Sequence, residues 1–489
     1  MSICMLNSLE TVYLMFALNK IGAISNLLYA MDGDKEIIAH INDTDTKYLF
    51  TLDIFSERIH SIIDNTNIVN VFVANLTQSM PFFTRMAARK LKKMNPLPLP
   101  TDKRFVSWDD FLAKKLKTSF ICEDADAPAA ICYTGGTTGG SKGVVMSNRC
   151  IVSVAQQYIL RGVKLSRSSK WIQILPLFIA YGVTCSLQIP MMVGMNVILR
   201  ITGSEPISKL MKLKPQYIMY GPAFWERLAD ENKNITFTTF EEGISGGDRL
   251  SEPVEEKINK YLFEHGSKNP VFNGYGMSEV GAAVSVNFEG AHELGSVGIP
   301  FVKTVISAFD IETGEELPVG SEGEICILTP SVMTEYLNNP EETANIIRKH
   351  ADGKEWVHSG DLGYISPDGF LHISGRLKRY ILVKYNQIYK KVFSLDIEKV
   401  LLKHPAVNNC AVVPMEHPEM EQAVRAFIIL KKGFALTEQL KADIEEYCEQ
   451  NLDKVYRPVC YEFVESFPLT KVGKIDYKAL EETPINQNK

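Results

Sequence analysis

The sequence predicts an α/β protein: a large N-terminal region of several subdomains, with layered sheets and a small β-rich subdomain, followed by a small α+β C-terminal domain. Three observations predict it. Helical and strand-like patterns alternate from the start of the chain, the mark of a layered α/β architecture. Between residues 129 and 279, apolar strand-like runs end repeatedly in glycine-rich turns, the place where such a sheet binds its ligands. From about residue 294 the texture changes to short strands with Gly turns, and the chain closes in a separate mixed unit.

The elements follow in order. Residues 9–21 read as an amphipathic helix that Gly22 ends. No strand is read before it, so the first unit looks incomplete. Residues 23–28 read as a strand, 36–42 as a helix and 48–51 as a strand. Residues 80–95 combine Pro81-Phe82-Phe83 with Arg85, Arg89, Lys90, Lys92 and Lys93, and a proline-rich linker follows. A peripheral membrane or acyl-chain contact is one reading of this segment; a solvated insertion is the other, and the preferred one. Asn148 is the expected N-cap of a helix to about Leu160. Strands are expected at 171–176 and 215–220, and helices from about Ala223 and Glu252. The long apolar run from Leu175 to Leu199 is broken by prolines and polar residues, and reads as a buried helix and a strand rather than a membrane span. Helices are expected near 395–403 and 437–450.

A chain of 489 residues is too long for one small domain. Its net charge of -6 gives no reason to expect nucleic acid as partner. The nine cysteines form no Cys-x-x-Cys pair and the nine histidines no His-Glu-x-x-His. These patterns predict a reducing, cytoplasmic setting and no structural zinc.

The chemistry centres on Tyr133-Thr134-Gly135-Gly136-Thr137-Thr138-Gly139-Gly140-Ser141-Lys142-Gly143, read as strand, loop, strand. Glycines let backbone N–H groups turn toward an anion, the Thr hydroxyls add donors, and Lys142 adds a charge. This is not the Gly-x-x-x-x-Gly-Lys-Ser/Thr loop that opens a helix.

Four further motifs accompany the loop: Tyr275-Gly276-Met277-Ser278-Glu279, Ser359-Gly360-Asp361, Gly375-Arg376-Leu377-Lys378 and Gly473-Lys474-Ile475-Asp476. On these five motifs, in this order, the chain resembles the adenylate-forming (AMP-binding) superfamily of acyl-CoA synthetases, peptide-synthetase adenylation domains and luciferases. It is most similar in character to fatty-acid–CoA ligases. The resemblance implies an adenylation domain over 1–374, lacking the usual first residues, and a mobile C-terminal domain over 375–489 that turns at Lys378. It implies ATP-dependent conversion of a carboxylic acid to an acyl-adenylate, then a thioester with coenzyme A. Either an acyl carrier protein as thiol donor or a truncated, non-catalytic ATP-binding remnant is the alternative.

The resemblance also implies roles. Thr134, Gly135, Gly136, Thr137, Thr138, Gly139 and Lys142 would hold the β- and γ-phosphates. Glu279 and Thr138 would bind Mg²⁺, and Ser278 would lie near the α-phosphate. Gly247, Asp248 and Tyr275 would contact the adenine, and Asn273, Gly274, Gly276 and Met277 would also belong to the ATP/AMP site. Asp361 would accept the ribose hydroxyls, with Arg376 beside it. Lys474 would bridge carboxylate and α-phosphate. Lys384, Tyr385 and Asn386 would serve the thiol step. The apolar candidates for the acid are Phe178, Tyr181, Tyr220, Phe224, Trp225 and Met277, most of which individually read as core.

The chain departs from the family pattern in several places. Gly135 replaces Ser, Ser141 replaces Pro, and Ile179 stands where many relatives have His. Tyr385-Asn386 replaces a Gly-aromatic pair, and three or four extra residues follow near 390–394. Some seventy residues that usually precede the segment matching 1–20 have no counterpart, which would leave an apolar sheet edge.

Overall fold

The computed structural model describes residues 1–92, 94–114, 120–134, 141–231, 235–377, 379–385, 388–470 and 474–484. Two large sheets, a smaller antiparallel sheet and a C-terminal sheet make up the fold. The first sheet has eight strands. Its parallel part runs Pro128–Thr134, Ser25–Leu27, Ser2–Cys4, Tyr48–Leu52, Asn70–Ala74 and Phe105–Ser107 in spatial order. The N-terminal strand Ser2–Cys4 therefore lies inside the sheet, bonded to Ser25–Leu27 on one side and Tyr48–Leu52 on the other. This corrects the expectation of a first helix with no strand before it. Three residues carry too little alternation to read as a strand, yet two neighbours saturate their backbone groups.

The helix Leu9–Lys20 starts at Ser8, whose hydroxyl accepts from the Thr11 N–H. It is not the expected amphipathic helix: Leu14 and Leu18 are buried while Leu9, Tyr13 and Phe16 are exposed on another side. The helix Asn148–Leu160 is capped by Ser147, accepting from the Cys150 N–H, and not by Asn148. Hydroxyl and amide caps are close to equivalent in preference, so sequence alone left a one-residue ambiguity.

The second sheet sets five parallel strands side by side, Val271–Tyr275, Glu242–Ser245, Tyr217–Tyr220, Lys170–Gln173 and Asn196–Leu199. The strand expected over 171–176 stops at Gln173. The apolar run that follows folds as a buried helix of π type, Tyr181–Gln188, a short helix Ile189–Val193 and the strand Asn196–Leu199. Among the described residues no helix is long and apolar enough to cross a membrane. Trp171, Trp225, Phe272 and Ile258 fill the cores on the two faces of this sheet, as fully buried parallel strands require.

The third sheet is antiparallel and built on Gly323–Leu328 and the long strand Glu355–Ile365. Its last strand, Leu371–Arg376, still pairs Arg376 with Asp361. The C-terminal sheet opens at Tyr380–Tyr385 and is carried by Val407–His417 against Glu421–Leu430. Helices Ser394–Leu401 and Glu438–Asn451 flank it.

Candidate active site

The strands Pro128–Thr134 and Lys142–Ser147 pair antiparallel, with Thr134 opposite Lys142. The two ends of the glycine-rich loop are thus pinned together, and the Ser141 hydroxyl donates to the Thr134 carbonyl at 3.0 Å. Gly135, Gly136, Thr137, Thr138 and Gly139 lie outside the described residues. The Lys142 ammonium is paired with Glu342, on the helix Pro340–Ile346, and lies 4.9 Å from the centre of the Tyr336 ring. The Tyr336 hydroxyl donates to Glu279 Oε1 at 2.5 Å; burial, then Glu279, pushes that phenol well above its ordinary pKa. Neither Tyr336 nor Glu342 was singled out from sequence, because no local pattern ties them to residues 57 and 200 positions away. Half-exposed ion pairs are worth about 0.2–1 kcal/mol. Glu342→Gln is therefore expected to free Lys142 and lower the KM for ATP by up to about fivefold, read by steady-state kinetics at saturating acid.

Glu279 follows the strand Val271–Tyr275 on a single turn, Ser278–Val280. It is buried, and its backbone carbonyl accepts from the Met333 N–H at 2.8 Å. The approach to it is tightly determined. Ala282 sits at φ +94°, a conformation that a residue with a Cβ adopts only under constraint. A Cβ on Gly276 would lie 2.0 Å from the Ala282 carbonyl oxygen. Gly276→Ala is expected to destabilise the protein by about 1–3 kcal/mol, seen as a lower Tm, and to weaken ATP binding measured by calorimetry. The Asn273 amide, by contrast, turns inward to the Ser296 carbonyl at 3.2 Å, and Gly274 is bound into the strand pairing with Val286. Met277 packs partly buried on the core of the third sheet.

Asp361 is buried at the middle of its strand. The Tyr275 hydroxyl donates to its Oδ2 at 2.6 Å, and Arg376 Nε lies 2.9 Å from its Oδ1. Burial and then Asp361 raise the Tyr275 pKa, and Asp361 above all raises that of Arg376. Each carboxylate oxygen has more than one acceptor site, so both remain able to accept from a ligand. The strand segment before Asp361 is held by Ser359 of the same motif and by Glu324 and His358, which were missed in the sequence. Glu324 accepts from the Gly360 N–H at 3.2 Å and lies 2.8 Å from His358 Nδ1. The Ser359 hydroxyl accepts from the Asp361 N–H at 3.0 Å. Burial opposes the Glu324 charge, but His358 and Gly360 hold its pKa below the ordinary value. Cys326, His350 and His358 bring ligand-capable atoms within 4.8 Å of one another, a grouping no sequence spacing announced. The His358 ring is nevertheless engaged on both nitrogens, with Glu324 and with His350 Nε2 at 2.8 Å.

Gly247, at φ +87°, turns the chain after the strand Glu242–Ser245 and presents Asp248. Here the C-terminal domain meets the N-terminal one. Arg249 lies 3.6 Å from Glu398, which also pairs with Arg379 at 2.6 Å, and the Arg379 guanidinium sits 3.5 Å over the Tyr477 ring. Lys474 remains accessible at its surface, yet feels Asp248, Arg376, Asp361 and Glu279 together. Crowding by protein lowers its pKa; Asp248 and the other carboxylates pull it back up, and Arg376 adds to the lowering. Residues of all five motifs thus converge: Lys142 through Tyr336 and Glu279, then Tyr275, Asp361, Arg376 and Lys474.

The thiol-step candidates are elsewhere. Lys384 pairs with Glu421 at 2.9 Å, and Tyr385 stands opposite Ile388 in a hairpin and packs on the C-terminal core. Asn386 and Lys378 lie outside the described residues. The extra residues near 390–394 extend the second strand of that hairpin, Ile388–Phe393.

Of the apolar candidates, Trp225 and Phe224 are core, the Trp225 indole donating to the Ile244 carbonyl at 3.1 Å. Phe178 stacks on Tyr29 with ring centres 4.4 Å apart. Tyr220 tilts over Phe224, and Ile179 packs partly buried on the second sheet. Among the described residues the buried Tyr181 hydroxyl has no hydrogen-bond partner, and a Cβ on Gly246 would come 3.2 Å from it. An orphaned buried hydroxyl beside the Gly246-Gly247 turn suits a site that a polar ligand completes.

The profile of the AMP-binding enzyme family matches residues 1–337, and that of the AMP-binding enzyme C-terminal domain matches 396–474. A long-chain-fatty-acid–CoA ligase of Bacillus subtilis strain 168 is 32% identical over 371 residues, which cover 74% of this chain and 62% of that protein. One from Escherichia coli O6:H1 is 26% identical over 490 residues, 97% of this chain and 83% of that protein. The ATP-bound crystal structure of MatB from Rhodopseudomonas palustris superposes with a TM-score of 0.81 at 23% identity, over 98% of this chain and 88% of that one, a likeness of fold.

Proposed function

We propose, starting from the fact that this chain belongs to the AMP-binding enzyme family, that it activates a fatty or other apolar carboxylic acid with ATP and transfers the acyl group to coenzyme A. The observation that carries the reading is the convergence of Lys474 with Asp248, Asp361, Arg376 and Glu279. A lysine from the C-terminal domain comes within electrostatic range of the carboxylates of these motifs, which supports an adenylation step. The names of the Bacillus and Escherichia relatives support a long-chain acid.

In the first half, a carboxylate oxygen attacks the α-phosphorus and the bond to the pyrophosphate oxygen breaks. Thr134, the loop 135–140 and Lys142 would hold the β- and γ-phosphates through N–H, hydroxyl and ammonium groups. Asp361 would fix the ribose, with Tyr275 and Arg376 orienting its carboxylate. Ser278 and Lys474 would meet the charge that develops at the α-phosphate. The buried Glu279 carboxylate, steadied by Tyr336, is the hard oxygen donor that Mg²⁺ takes. Bound with ATP, Mg²⁺ would neutralise phosphate charge; Thr138 would complete the protein's share of its ligands. In the second half, the thiol sulfur attacks the acyl carbonyl, AMP leaves with the electron pair of the mixed-anhydride bond, and the thiol proton passes to solvent. Lys384 and Tyr385 belong to the C-terminal sheet, so that half would require the C-terminal domain to turn about Lys378.

The test is acid-dependent exchange of labelled pyrophosphate into ATP across short, medium, long and aromatic acids, followed by thioester formation with coenzyme A or a carrier protein. Exchange with long-chain acids and a coenzyme A thioester are expected. Folded protein that binds ATP but exchanges with no acid would overturn the proposal.

The Lys474 charge gives a pH signature. The working form is the ammonium, and its pKa is lowered. The proton is therefore lost at lower pH than from an ordinary lysine, and exchange is expected to fall on the alkaline side as pH rises through that value. Lys474→Arg should move this limb to higher pH, since a guanidinium stays charged.

A further inference from the structure

A helix lying on a globular body normally turns its apolar stripe inward. The helix Phe82–Lys92 does the reverse. Ala88 is its buried residue, while Arg85 and Arg89 lie half-buried and reach toward the Gln78 carbonyl and the Thr77 hydroxyl. Phe83 is 84% exposed, Leu91 80%, Phe82 60% and Met86 56%. The Phe82 and Phe83 rings meet edge to face with centres 5.5 Å apart, forming one aromatic patch.

The charge within this segment of sequence is one-sided, although Glu10, Asp53 and Asp109 bond to Ser79, Leu97 and Gln78 beside it. No Asp or Glu occurs from residue 65 to 101, while residues 85–93 carry five Lys and Arg, in a chain whose net charge is -6. An outward apolar face within a local excess of cations is the composition of a helix that lies in a membrane interface, with aromatic side chains at the acyl boundary and cations at anionic headgroups. A protein groove would explain the aromatic patch, but gives no reason for acid-free sequence on both sides of it.

We propose that Phe82–Lys92 docks this protein on an anionic lipid surface, with Phe82, Phe83, Met86 and Leu91 inserted and the exposed Lys90 at the headgroups. The solvated insertion preferred from sequence is the alternative reading; four large apolar side chains facing out on one helix favour the lipid surface. This extends the proposed function, and rests on it only in naming the bilayer as the source of a poorly soluble acid; the docking is read without ATP or acid, so it stands or falls independently of pyrophosphate exchange.

The experiment is co-sedimentation of the full chain with vesicles of phosphatidylcholine alone or mixed equally with phosphatidylglycerol. Partition into the mixed vesicles only, weakening several-fold from about 0.1 to 0.5 M salt as the Debye length shortens, is expected. Phe83→Ser combined with Leu91→Ser should lower that partition at least about tenfold with an unchanged thermal melt, since both residues face outward. Phe83→Trp should give an emission blue shift on adding the mixed vesicles. Partition equal for wild type and the double variant, or none into either vesicle, overturns the proposal. So does concentration-dependent self-association that the double variant abolishes while no vesicle is bound, which would assign the patch to a second copy of this chain.

Discussion

Replacing Lys474 by alanine is expected to lower acid-dependent pyrophosphate exchange by about 10²–10³-fold, while thioester formation from a supplied acyl-adenylate stays within a few-fold of wild type. The asymmetry follows from where the lysine is. It precedes Ile475, which bridges to Leu469, and its N–H donates to the Thr470 hydroxyl at 3.2 Å; it comes into range of the nucleotide motifs only through the docking of the C-terminal domain. A positive charge held where phosphate charge develops stabilises the transition state of the first half-reaction. In the second half the developing charge is at the acyl carbonyl, and the lysine would have been carried away. The fold should be indifferent to the change, because the side chain keeps surface access and packs no core. Equal losses in both half-reactions would show that Lys474 acts on the whole site rather than on adenylation.

Glu279→Gln is expected to cost exchange on the order of 10²-fold, corresponding to several kcal/mol of lost charge stabilisation, and to raise the Mg²⁺ concentration needed for half-maximal rate. Glutamine keeps the shape and can still accept from the Tyr336 hydroxyl, so the burial of this position should not translate into unfolding. What is lost is the anionic oxygen. The measurement is a Mg²⁺ titration of exchange alongside a thermal melt. An unchanged Mg²⁺ requirement with a lowered Tm would make Glu279 a structural partner of Tyr336 and nothing more. Read beside Glu342→Gln, the pair separates two ends of one chain of contacts, from the Lys142–Glu342 pair through Tyr336 to Glu279.

The primary structure was sufficient for the motifs, the α/β class and most elements of the second sheet. Each of these is local: Tyr275 to Glu279 and Gly473 to Asp476 are contiguous, and strands such as Tyr217–Tyr220 are buried on both faces and so read as continuous apolar runs. It could not supply the partners that fold these motifs into a site. Tyr336, Glu342, Glu324 and His358 are single residues without pattern, and they matter only because sheet pairing brings Tyr336 beside Val144 and Glu324 beside Leu362. The strand Ser2–Cys4 is a strand because neighbours distant in sequence bond both its edges. Asn273 kept its place beside the site yet turned its amide inward, a choice made by the Ser296 carbonyl. The outward face of Phe82–Lys92 was likewise undetermined by periodicity, which defines an apolar stripe and not its direction. Lys474 and Tyr385 lie in the same C-terminal region, and only the tertiary arrangement brings Lys474 into the electrostatic range of Asp248, Asp361 and Glu279 while Tyr385 packs on the C-terminal core.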